Sequence, residues 1–126
     1  MANPNIVNVS SILGVTTSVG IANTNTMNLI VSNASSSSKV LKINTILAVN
    51  SDPTGVNADV TVKLFNAAAG VGVSHVISNN ITVPGKSSIV LLGKDSPMYL
   101  MEDKSISASA SAADHIDIVC SYEEIS

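Results

Sequence analysis

Aromatic residues are almost missing from this chain: 126 residues hold no Trp, one Phe (Phe65) and two Tyr (Tyr99, Tyr122). A core without rings must be filled by Val, Ile, Leu, Ala and Met, and the β-branched members of that set pack well on a pleated surface. The same scarcity weighs against a sugar-binding platform, which uses the flat apolar faces of exposed rings. Arg is absent, there are six Lys, and the formal net charge is −3. Phosphate affinity comes from neutralising charge with a basic patch, so nucleic acid is not an expected partner. Cys120 stands alone, which rules out an intrachain disulfide. It shares one face of a predicted strand with Ile116, Ile118 and Tyr122, the setting of a small buried apolar residue rather than of a nucleophile. Long apolar runs are missing too. Ile89-Val-Leu-Leu92 is far too short to cross a bilayer. Met1-Ala-Asn-Pro-Asn5 has neither region of a signal peptide, and no lipid signal or basic amphipathic helix is visible. The expectations are no membrane partner and synthesis in the cytoplasm of some cell.

What is present is hydrophobic, punctuated and short in period. Hydrophobic residues make up 45% of the chain, enough for one ordered domain spanning residues 1–126. Short apolar stretches end repeatedly at Gly, Pro, Asp, Asn or Ser, the pattern of successive strands. Ile6 to Val9 opens the series, and residues 1–9 could instead lie extended as an arm. Ile12 to Ile21, with Gly14 and Gly20, reads as a bulged edge strand. Met27 to Val31 places Met27, Leu29 and Val31 on one face, and Ser32 to Ser38 reads as an exposed loop. Lys39 to Asn50 is the longest strand, with Leu41, Ile43, Leu47 and Val49 together, and Asn50 to Gly55 is a turn. Ala58, Val60, Val62 and Leu64 point one way from the next strand. Ala67-Ala-Ala-Gly-Val-Gly72 is a hairpin tip. Val73 to Ile77 and Ile81 to Val83 are strands broken at Ser78-Asn-Asn80, followed by a Pro84-Gly85 turn. Ser88 to Leu92 is apolar on both faces and therefore expected to be central. Lys104 to Ser111 turns Ile106, Ala108 and Ala110 inward and Ser105, Ser107 and Ser109 outward. The fold class is all-β, a single-domain antiparallel β-sandwich of jelly-roll or immunoglobulin-like type.

Chemistry-bearing clusters are sparse. His115 and Asp117 in Asp114-His-Ile-Asp117 are two candidate ligands, whereas zinc wants three or four. Asp95, Glu102 and Asp103 lie in turns without the density of oxygens that calcium requires. His75 has no partner in sequence. Gly70-Val-Gly72 lacks the strand-to-helix setting of a dinucleotide loop. The sequons at Asn8, Asn33 and Asn80 are expected by chance in a chain so rich in Asn, Ser and Thr. Neither a Ser-His-Asp order nor a supported carboxylate pair emerges. The expectation is a non-enzyme with no cofactor and no metal.

Several segments together resemble small virion proteins of tailed phages, notably those of cyanobacteria. They are Met1-Ala-Asn-Pro-Asn-Ile-Val-Asn-Val9, Lys39-Val-Leu-Lys-Ile-Asn-Thr-Ile-Leu-Ala-Val-Asn50, Ala58-Asp-Val-Thr-Val-Lys-Leu64, Ser96-Pro-Met-Tyr-Leu-Met-Glu-Asp-Lys-Ser-Ile-Ser-Ala108 and Ile118-Val-Cys-Ser-Tyr-Glu-Glu-Ile125. Such proteins often carry Leu-Glu-x-Gly-Asp-Ser-Leu where this chain has Leu100-Met-Glu-Asp-Lys-Ser-Ile106, so a turn Gly is missing here. The resemblance implies a structural component of the virion. A capsid decoration or cement protein bound to the major capsid protein is the first expectation. A neck, tail or fibre-associated module is the second, and a virion-surface glycan-binding module the third. Self-association is implied, with a trimer favoured. The contact elements expected on this reading are the two chain ends and the Ala67 to Val73 loop. Their named residues are Asn3, Pro4, Asn5, Ile6, Val7, Ala68, Val71, Tyr122 and Ile125.

Overall fold

The computed structural model describes residues 9–126. Nine strands follow one another with no helix among the described residues. They are β1 (Ile12–Gly20), β2 (Asn28–Asn33), β3 (Val40–Asn50), β4 (Ala58–Phe65), β5 (Ser74–Val83), β6 (Ser88–Leu92), β7 (Met98–Leu100), β8 (Lys104–Ala110) and β9 (Ile116–Ile125). One sheet runs β1-β9-β3-β6, with β7 also on β3; the other runs β2-β8-β4-β5. Every strand pair is antiparallel.

The pairing has a simple origin. β4 pairs β5, β3 pairs β6, β2 pairs β8 and β1 pairs β9, as one long antiparallel ribbon whose tip is the β4–β5 hairpin. Rolling that ribbon up brings β9 against β3 and β8 against β4. This is a jelly roll, which decides between the two sandwich types expected. The sheets enclose Ile21, Ile43, Ile46, Val60, Val62, Val83, Leu100, Ile106, Ile116, Ile118 and Cys120, nearly all fully buried. Apolar burial of this kind is the main favourable term in folding.

Several expectations change in three dimensions. β3 carries a bulge between Ile43 and Thr45, opposite Tyr122 and Ser121. One extra residue reverses the alternation. Leu41 and Ile43 therefore share the core with Ile46 and Ala48, while Leu47 and Val49 are only half-buried. A register shift between Leu29 and Val31 does the same in β2, leaving Leu29 exposed and Ile30 buried. The expected break at Ser78-Asn-Asn80 is a bulged stretch inside one continuous β5, with Asn80 at φ 47. β6, expected at the centre, pairs only with β3 and lies at an edge. β1 is an edge strand as expected, but its nine pairs to β9 show no register shift.

Two buried asparagines hold the loops that leave β2 and β3. Asn33 donates through Nδ2 to the carbonyls of Lys39 (2.8 Å) and Leu100 (3.0 Å), and its Oδ1 accepts from Ser37. Asn50 donates to the carbonyls of Val56 (2.9 Å) and Val83 (3.0 Å), and its Oδ1 accepts the Asp52 amide. Each side chain replaces backbone pairing that the loop cannot supply, so a buried polar group is satisfied rather than stranded. The "exposed loop" from Ser32 is thus anchored at Asn33, which is 2% exposed.

Candidate interaction surfaces

The β4–β5 hairpin tip is built from left-handed backbone. Gly70 and Gly72 have φ of 72° and 88°, which glycine adopts without a Cβ clash. Asn66 donates its amide to the Val73 carbonyl and Gly70 to the Ala67 carbonyl, closing the turn. The tip bends back over the outer face of β8. Ser105 Oγ donates to the Ala67 carbonyl (2.6 Å), and the Ala68 amide donates to Asp103 Oδ1 (3.3 Å). Gly70 lies so close to Ser107 and Leu29 that a Cβ there would stand 3.0 Å from Ser107 Oγ. Ser105 and Ser107, expected to face solvent, are buried under this loop.

The expected contact residues fall in different places. Asn3, Pro4, Asn5, Ile6 and Val7, and the extended arm with them, lie outside the described residues. Ala68 is half-buried in the tip, while Val71 and the neighbouring Val73 are exposed. Tyr122 packs against the core, and burial pushes its phenol pKa up, with Glu124 and Cys120 adding to the shift. Ile125 is buried between Ile12 and Val40 in the sheet. Tyr122 is thus partly buried and Ile125 is 6% exposed. What the C-terminus does is hold the start of β1: Ser10 and Ser11 donate to the Ser126 carbonyl at 2.6 and 3.0 Å. Ser10 and Ser11 therefore run beside Ser126.

Polar groups elsewhere serve the loops. Asp52 accepts from the Thr54 hydroxyl (2.7 Å), the Val56 amide (2.8 Å) and the Thr54 amide (3.3 Å). The Thr54 hydroxyl first, then the Val56 amide, hold its carboxyl below the usual carboxylate range. His115 sits 3.9 Å from Asp52, whereas Asp117 is exposed in β9 beside Gly20. Among the described residues no three His, Cys, Asp or Glu gather as a metal site. Burial pushes the Cys120 thiol up to about 11, which keeps it protonated and poorly nucleophilic. A cleft of about 140 Å³ is lined by Leu64, Phe65, Asn66, Val73, His75 and Lys104. Small-molecule sites usually need about 300 Å³ or more, so this one has room for solvent or a single side chain.

The flanks carry more information than any cleft. β1 and β2 lie together along one flank, with β5 and β6 along the other. Residues 1–38 contain no Asp, Glu, Lys, Arg or His, so the β1–β2 flank is built from uncharged residues. That long charge-free opening is the sequence signal by which this surface could have been found. Ile12 and Leu13 of β1 are 59% and 56% exposed. The opposite flank also shows apolar residues, among them Val76, Ile81 and Val90. Its backbone is protected differently: β5 is bulged, and β6 is only five residues long. Compared with protein-family models and with curated proteins, the chain matches none.

Proposed function

We propose that the chain is a structural protein of a tailed-phage particle, a decoration or cement protein that binds the major capsid protein and strengthens the shell. The observation that carries this reading is where the apolar surface sits. Val71 and Val73 at the hairpin tip, and Ile12 and Leu13 at β1, are large apolar side chains left exposed at opposite ends of the rolled ribbon. Exposed apolar groups at both of these places, with others such as Val76 and Val90 between them, suit a module that touches neighbours at more than one place. Bridging two subunits at a seam is how a cement protein adds strength, and its hold depends on a few well-packed anchors more than on area.

A detail of the backbone supports the resemblance on which the reading rests. The turn Gly of the resembling proteins falls at Asp103, and Asp103 has φ 58. That left-handed conformation favours Gly, with Asp among the few residues that tolerate it. The jelly roll recurs in viral capsid proteins and in lectins, so the fold supports the reading only by analogy.

The test is the copy number of the protein relative to the major capsid protein, by quantitative mass spectrometry of purified particles. A ratio of about one, or about one third, places it in the head lattice, where symmetry repeats every contact. A handful of copies moves it to the neck or tail. Absence from the particle overturns the proposal.

A further inference from the structure

We propose that β1 is the seat of a two-fold contact with a second copy of this chain, pairing β1 antiparallel to β1 so that the β1-β9-β3-β6 sheet continues across the dimer. This goes beyond the virion reading and does not rest on it.

The argument begins with the backbone. An edge strand offers a row of unpaired N–H and C=O groups that another strand can take up. Folded proteins block that reaction with charges, Pro, bulges or very short edges. The other edges of this sandwich have such devices. β2 is bulged at Leu29/Val31; β5 is bulged beside Val62 and turns left-handed at Asn80; β6 and β7 are five and three residues long. β1 has none of them. Its nine residues, Ile-Leu-Gly-Val-Thr-Thr-Ser-Val-Gly, contain no charge and no Pro, and they pair with β9 without a shift. Among the described residues nothing pairs with the other side of β1.

The side chains point to the same chain as occupant. Leu13, Val15, Thr17 and Val19 lie on the core side, opposite Glu124, Tyr122, Cys120 and Ile118 of β9. An antiparallel pair centred on Thr16 sets Leu13 opposite Val19, Val15 opposite Thr17, Gly14 opposite Ser18 and Ile12 opposite Gly20. Each of these pairs occurs twice. Leu13, more than half exposed in the single chain, is then covered by Val19 of the other copy, which extends the core across the axis. On the solvent side Ile12 meets Gly20, Gly14 meets Ser18 and Thr16 meets its own copy, so this register sets no two bulky side chains against each other there. Directly opposed like charges would oppose self-pairing, and this strand has none. The nearest carboxylates, Asp117 beside Gly20, Glu123 beside Gly14 and Glu124 beside Leu13, belong to β9, one strand behind, and Glu124 is paired there with Lys39. In the dimer the two β9 strands would stand three strand spacings apart, roughly 14 Å, beyond the screening length in physiological salt.

The experiment is sedimentation equilibrium on the full chain and on three variants, with circular dichroism to check folding. The wild-type chain is expected to be dimeric. Leu13→Lys places a charge where Val19 of the other copy would pack, and should raise the dimer dissociation constant on the order of a hundredfold. Thr16→Lys and Thr16→Glu each set like charges across the axis and should each weaken the dimer, while mixing the two restores it. That recovery is specific to a two-fold at Thr16 and decides the matter if Leu13→Lys fails to fold. A wild-type monomer at about 100 μM overturns the proposal, since it leaves β1–β1 pairing with less than about 5.5 kcal/mol. So does a folded Leu13→Lys with unchanged association. A dimer indifferent to Leu13→Lys but lost on removing residues 2–8 also overturns it, in favour of the arm as occupant.

Discussion

The two flanks of the sandwich use similar residues and treat their edges in opposite ways. On the β5–β6 side the strand carrying Val76 and Ile81 is bulged, and Thr61 Oγ1 both accepts the Asn80 amide and donates to Asn80 Oδ1. The irregularity is therefore locked by side chains. On the β1–β2 side, β1 stays regular from Ile12 to Gly20 and has no charge. Apolar exposure is comparable on both sides, so it does not distinguish them. The backbone does: an irregular edge cannot template another strand, whereas a regular uncharged one can.

The largest expected effects test whether both flanks are equally well built behind their edges. Asn50→Ala strands the carbonyls of Val56 and Val83 and the Asp52 amide, and should cost about 3 kcal/mol in urea unfolding. Asn33→Ala should cost about the same, because it strands the Lys39 and Leu100 carbonyls. A much smaller loss for Asn33 would make the β1–β2 flank the looser half as well as the one with a regular edge strand.

Gly85→Ala comes next and strikes the guarded flank alone. A Cβ there would lie 2.1 Å from the Gly55 backbone, so the turn after β5 and the loop after β3 must part, at about 2 kcal/mol. Lys86 beside it has φ 62 in a turn closed by the Ser87 amide on the Pro84 carbonyl. Lys86→Gly should stabilise the chain by about 1 kcal/mol, read as a raised melting temperature. The glycine of this turn thus stands where contact requires it, one residue before the backbone would prefer it.

Titration separates the loops from the core. The folded pKa of Asp52 is depressed. Its contribution is present above the unfolded pKa and disappears as pH falls through the folded one. Thermal melts from neutral pH downward should show an acid-sensitive component that Asp52→Asn removes. Cys120 moves the other way, from 9.0 to about 11. Its contribution is intact below the unfolded value and lost as pH rises between the two. A maleimide should label Cys120 only when the protein is unfolded. The smallest effect belongs to salt: raising it from about 50 mM to about 500 mM should leave the β1 dimer within about twofold, since no charges meet there. A strong salt dependence would point to a contact away from β1.

How far the chain could be read in advance depended on whether a residue's neighbour was close in sequence. Ala58, Val60 and Val62 in β4, and Ile116, Ile118 and Cys120 in β9, alternate without interruption, and all six are buried as expected. Leu47 and Val49 follow an equally clean alternation on the wrong side of a bulge at Asn44, which no local pattern announces. Ser105 and Ser107 have the outward phase of their strand, yet are covered by a hairpin tip nearly forty positions earlier in the chain. Of the expected contact residues, Val71 is exposed at that tip, whereas Ile125 is buried beside the start of β1.

By itself the amino-acid sequence determined that this protein is a sandwich of short antiparallel strands. Alternation, β-branching and frequent turn residues are local properties, and they outweigh the sparse alternatives. Only the tertiary structure decided that the sandwich is a jelly roll, that Asn33 and Asn50 are buried anchors, and that β1 is, among the described residues, a regular edge strand. Those outcomes depend on which strands become neighbours when the ribbon rolls up. Such neighbours are chosen by the burial of faces across the whole chain, and that is not a property of any segment alone.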